Sequence, residues 1–146
     1  MFYLYHLLRR YPVSCCLIAV IWILCFITPP STPLDDVPLM DKWTHIAMYG
    51  GTCAVIWIEY LRGHKKKNAM RLFCMAWLAP VVMGGAIELL QAYCTGGRRS
   101  GDWLDFIANT IGVTTGAVIG ILLAWWCARR QTASDGDRNC KNGGRP

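Results

Sequence analysis

Four apolar runs, at residues 12–28, 43–61, 72–93 and 104–127, take up most of this 146-residue chain and limit what it can fold into. Each is close to the roughly 20 residues an α-helix needs to cross a bilayer. With 54% hydrophobic residues and seven Trp, a soluble domain of this length would have too little interior to hide them. The expected class is all-α: a polytopic membrane protein with one four-transmembrane-helix bundle over residues 1–130. A disordered cytoplasmic tail is expected over 131–146, where Gly, Asn, Asp and Arg predominate.

The charges orient the bundle. Arg9 and Arg10, the Arg62 to Arg71 loop with Lys65, Lys66 and Lys67, and Arg129 and Arg130 share one set of helix ends. The opposite connections hold Lys42, Arg98 and Arg99. By the positive-inside rule both N and C termini are cytoplasmic, which predicts a multi-pass protein of the cell (inner, cytoplasmic) membrane. The net charge of +6 does not indicate nucleic acid, because the basic residues lie in the gaps between runs and form no surface stripe. The first run reads as an uncleaved anchor, since no small-x-small site follows Ile27 and three further runs come after it.

Of eight cysteines, Cys15, Cys16, Cys25, Cys53, Cys74 and Cys127 lie inside apolar runs and no C-x-x-C occurs, so they read as small buried hydrophobes. Cys25 and Cys94 fall near the same membrane face, and only geometry can decide whether they pair. There is no internal repeat, phosphate-binding glycine loop or nucleotide fingerprint, so the sequence names no cofactor.

Three polar clusters carry the functional reading: Asp41-Lys42-x-x-His45-x-x-x-Tyr49, Glu88-x-x-Gln91 and Arg99-x-x-Asp102-x-x-Asp105-x-x-x-Asn109. All fall on the extracytoplasmic side. Taking such groups out of water is costly, so gathering them from three helices at one depth predicts a built polar site. Asp41, His45 and Tyr49 are spaced four and four and share a helix face, with Asp41 as N-cap. Glu88 lies five residues before the end of its run and needs a partner, with Arg99, Lys42 and His45 as candidates. Pro80 removes a backbone bond to the Ala76 carbonyl, which predicts a bend just beneath Glu88. Glu59 reads as an interfacial ion pair with Arg62. Asp102, Asp105, Asn109, Gly112, Gly116 and Gly120 form one stripe, polar above and glycine below, that turns the acids inward along a close helix seam. Asp102 also suits a helix cap.

In the order and spacing of these residues, with Gly97-Arg98-Arg99-Ser100-Gly101-Asp102 and Asp105-x-x-x-Asn109-x-x-Gly112, the chain resembles the VanZ-like family of small membrane proteins. Its founding member is associated with resistance to the glycopeptide antibiotic teicoplanin. The resemblance covers Asp41 to about Gly120 and departs from the pattern in doubling the arginine, where register to Asp102 favours Arg99. It implies a cell-envelope protein and supplies no reaction.

Three functions follow as expectations. The first is an outer-leaflet site that binds, and could modify, the headgroup of a lipid or lipid-linked envelope precursor. There Lys42 and Arg99 hold an anionic group, His45 acts as acid or base, and Glu88 and Asp105 complete the chemistry. Asp41, Tyr49, Gln91, Asp102 and Asn109 line it. The second is a non-enzymatic structural or envelope-modulating protein whose cluster only holds helices together. The third is a small proton- or ion-coupled transporter. His45, Glu88, Asp102 and Asp105 offer one nitrogen and several oxygens, but no H-x-x-x-H type pair fixes a metal site, and none is assigned.

Overall fold

A computed structural model describes the backbone of residues 2–27, 39–64, 68–94 and 101–142, and the side chains of 5–27, 39–64, 68–94 and 101–130. These residues are helical, with no strand among them: α1 (Phe2–Arg10), α2 (Pro12–Phe26), α3 (Met40–Gly63), α4 (Ala69–Phe73), α5 (Ala79–Cys94) and α6 (Trp103–Asn142), with a π-helical turn (Cys74–Leu78) joining α4 to α5. Arg98, Arg99 and the Thr28 to Pro38 connection lie outside the described residues.

Two helices are long and apolar enough to cross a membrane: Ala69–Cys94, in which the π-helical turn is embedded, and Trp103–Arg130. The apolar helix α2 has 15 residues. Helix α3 is long enough, at 24 residues, yet more polar, because it is the interior helix. It buries His45, Tyr49, Thr52, Cys53, Ile56 and Tyr60 and shares its largest interface with α6. The outward faces of α2, α5 and α6 carry Val20, Ile23, Val82, Leu89, Ile111, Val118 and Leu122, all exposed. The core and the exterior are thus both apolar, the reverse of a soluble surface pattern.

Glycine brings α3 and α6 together. A Cβ on Gly112 would stand 2.5 Å from the Ile46 carbonyl oxygen, and one on Gly50 would stand 2.9 Å from that of Gly112. Both obstacles are backbone and cannot rotate away. The expected seam of Gly112, Gly116 and Gly120 is therefore the α3-facing stripe of α6. Its counterpart, Gly50, had no assigned role in the sequence reading.

Three expectations are corrected. The irregular turn lies at Cys74–Leu78, on the N-terminal side of Pro80, and not just beneath Glu88. The Ala76 carbonyl, which Pro80 cannot satisfy, accepts the Cys53 thiol at 2.9 Å, so Cys53 is a donor as well as a small hydrophobe. Glu59 bonds the start of α2 rather than Arg62. Its Oε1 accepts Val13 N–H at 3.0 Å, and its Oε2 accepts Ser14 N–H at 3.1 Å and Ser14 Oγ–H at 2.5 Å. With Pro12 in the first turn, the carboxylate satisfies backbone donors that a helix start leaves open.

No disulfide joins the described cysteines, Cys25 and Cys94 included. The backbone of α6 continues to Asn142, beyond Gln131, where composition leads one to expect disorder. A helix already formed extends without the nucleation cost an isolated segment would meet.

Candidate functional site

The polar end of the bundle is built on the first turns of α3 and α6 and the last turns of α5. Helix α6 starts cleanly because Asp102 caps it, its Oδ1 accepting Leu104 N–H at 2.9 Å. Helix α3 starts differently. It follows Leu39, whose φ is 62°, and has no side-chain cap. Asp41 is thus not the N-cap but a first-turn residue, where its negative charge still favours the helix dipole.

Lys42 spans the two helices. Its Nζ donates to Asp102 Oδ2 at 2.6 Å and to Asp105 Oδ1, and lies 3.8 Å from Asp41 Oδ2. Burial would lower the lysine pKa, but the hydrogen bonds it donates to Asp102 and Asp105 outweigh that and raise it above the ordinary value. Asp102 is held below the usual carboxylate range by the Lys42 hydrogen bond and the Leu104 N–H. The charge expected to hold a ligand anion is therefore engaged by two of the protein's own carboxylates.

His45 is fixed from the opposite side. Its Nδ1 lies 2.8 Å from Asn109 Oδ1, and its Nε2 faces Asp105 Oδ2 at 3.8 Å and Asp41 Oδ1 at 3.9 Å. Tyr49 stacks one turn below, with ring centroids 6.5 Å apart. The α3 face expected from the four-and-four spacing is therefore present: His45 and Tyr49 are buried, and Asp41 stands at its exposed rim.

Glu88 is 7% exposed, and its nearest polar partner is neither His45 nor Lys42. Its Oε2 accepts the backbone N–H of Asp102 at 3.2 Å, while Oε1 has no hydrogen-bond partner among the described residues. Tyr49 Oη and Asn109 Nδ2 are likewise buried without one. Gly84 lies between these groups: a Cβ there would be 3.2 Å from Asn109 Nδ2 and 3.3 Å from Tyr49 Cε1. Gln91, one helical step beyond Glu88, turns to α2 and donates to the Cys25 carbonyl at 2.7 Å.

An open cavity of about 370 Å³ lies beside the cluster, between α5 and the start of α6. Glu88 and Asp102 are its charged lining, and Leu89, Ala92, Trp103 and Phe106 form apolar walls. Within the cluster the ligand-type atoms of Asp41, His45 and Asp105 all lie within 4.8 Å of one another. Of the residues the sequence offered as ligands, His45 and Asp105 belong to this group; Asp41 joins them through its i,i+4 spacing to His45. The arrangement can hold a proton or a cation between carboxylates and an imidazole, and it offers hydrogen bonds to a polar group seated over an apolar groove. Compared with known proteins, the chain matches no family model, no curated protein and no solved structure.

Proposed function

We propose that this chain is a four-span protein of the cytoplasmic membrane, with both termini inside, whose polar end binds a lipid or lipid-linked envelope headgroup in the outer leaflet. The observation that carries the reading is Glu88, a buried carboxylate that lines an apolar-walled cavity with its Oε1 unpaired among the described residues, together with Tyr49 Oη and Asn109 Nδ2, likewise unpaired and both close to Gly84. A cluster that served only to join helices would have little reason to leave them unsatisfied.

The membrane placement is supported by aromatic residues towards both ends of the apolar span Trp103–Arg130 of α6. Trp103 is exposed at the polar end, and Trp125 and Trp126 stack beneath Arg129 and Arg130 at the other. Trp103 and Trp125 are about 33 Å apart at 1.5 Å per residue, close to a hydrocarbon thickness. The spacing shared with VanZ-like proteins favours an envelope ligand and an effect on teicoplanin susceptibility. In this reading His45 is the acid or base, Glu88 and Asp105 position the reacting or bound group, and Arg99 contacts its anionic part.

A purely structural role is the second reading, favoured by Lys42, whose charge is used in bridging α3 to α6. Native mass spectrometry of the detergent-purified protein separates the two. A headgroup site predicts a defined co-purified lipid that Glu88→Gln and Tyr49→Phe release while the thermal melt holds. Variants that unfold, or that keep the same lipids as the parent, support the structural reading. Labelling of Cys94 from outside the cell tests the orientation.

A further inference from the structure

We propose that Asp41, His45 and Asp105 form a binding site for one divalent transition-metal ion, Zn²⁺ or Mn²⁺. The ion goes beyond the headgroup reading and does not depend on it.

The first argument is the imidazole's tautomer. His45 Nδ1 faces an amide oxygen, Asn109 Oδ1, at 2.8 Å, and an amide oxygen can only accept. Nδ1 therefore donates to the amide, and Nε2 is the ring atom turned towards Asp105 Oδ2 and Asp41 Oδ1. An imidazole with one nitrogen held by an amide oxygen and the other free is how metal-ligating histidines are oriented.

Distance is the second argument. At 3.8 and 3.9 Å the Nε2 contacts are too long for hydrogen bonds. Metal–ligand bonds of about 2.0–2.2 Å place atoms that share an ion roughly 3 to 4.4 Å apart. Both histidine distances fit that range; the three ligand atoms all lie within 4.8 Å, so the two carboxylate oxygens would close by a few tenths of an ångström around an ion. Lys42 takes Asp105 Oδ1 and leaves Oδ2, the oxygen that faces the histidine.

Charge and access agree. Asp41, Asp102 and Asp105 lie within 4 Å of the Lys42 ammonium, so three carboxylates share one cation among the described residues. His45 and Asp105 side chains are 6% and 10% exposed, whereas Asp41 is 61% exposed. An ion bound there would be anchored on the buried side and open on the other, free to take water or a phosphate oxygen. One imidazole nitrogen with two carboxylates suits Zn²⁺ or Mn²⁺ better than an all-oxygen ion such as Ca²⁺.

The test uses the full-length protein in detergent, stripped with chelator and given Zn²⁺ or Mn²⁺ alone. Elemental analysis after dialysis and the thermal melt are both read. Near-stoichiometric retention of an ion with a raised melt is expected. Asp41→Asn, at an exposed position, loses the ion and the rise in melt that the ion gives the parent, and keeps a cooperative metal-free melt lowered only slightly by the lost first-turn charge. Asn109→Ala weakens binding by roughly 10- to 100-fold. Two outcomes overturn the proposal: neither ion is retained by the parent, or Asp41→Asn retains it undiminished, which places the metal on other ligands. Because the readout is metal and not lipid, failure here leaves the headgroup reading untouched, and loss of the lipid adduct leaves the ion untouched.

Discussion

The Cys53 thiol on α3 donates to the Ala76 carbonyl at 2.9 Å, the same carbonyl that Pro80, lacking an N–H, leaves without its helical donor. A buried acceptor freed by proline is thereby satisfied from a neighbouring helix. Cys53→Ala should cost about 1–3 kcal/mol, the penalty for an unpaired buried polar group. Cys53→Ser keeps a donor and should recover most of it. Thermal melts of both variants in detergent check this, and an alanine variant as stable as serine would refute the role of the bond.

The α3–α6 crossing predicts opposite responses to the same change. Gly112→Ala sets a methyl 2.5 Å from the Ile46 carbonyl oxygen and should cost about 1–3 kcal/mol or more through overpacking. A Cβ on Gly51 meets nothing within 4 Å, so Gly51→Ala should be neutral or gain up to about 1 kcal/mol of helix propensity. Melting temperatures measured side by side test the contrast.

The Lys42 bridge makes stability depend on pH. The pKa of Asp102 is lowered in the fold, so its contribution is present above the unfolded carboxyl value and lost as pH falls through the lower folded one. The pKa of Lys42 is raised, so its contribution is in place below the ordinary lysine value and lost only at higher pH. The stability gap between the parent and Lys42→Met should hold between about pH 5 and 9 and shrink below about pH 4. Melts across that range measure the gap. A gap unchanged at about pH 2 would mean that ionised Asp102 does not create it.

Glu59 ties α2 to α3 through three hydrogen bonds. Glu59→Ala leaves the first turn of α2 without its anion and should cost about 1–2 kcal/mol. Ser14→Ala removes one bond and should cost less. Thiol-reagent labelling of Cys15, half-buried in the native fold, should speed up in the glutamate variant, and unchanged labelling would argue against the docking role.

What the sequence determined by itself is what is local and periodic. Helical segments follow from runs of apolar residues. The shared face of His45 and Tyr49 follows from four-residue steps, and the α6 stripe from Asp102 to Gly120 follows from steps of three and four. The partners were not legible, because they are set by how helices pack across gaps of many residues. Lys42 read as a ligand-holding cation until α6 placed Asp102 and Asp105 on either side of it. Glu59 read as an ion pair with its sequence neighbour until the start of α2 came within reach, and Gln91 read as site lining although it reaches α2. The tertiary structure also decided that α3, less apolar than its neighbours, is the interior helix. A glycine crossing lets its backbone meet that of α6, and there Asp102, Asp105 and Asn109 take the place of water for Lys42 and His45.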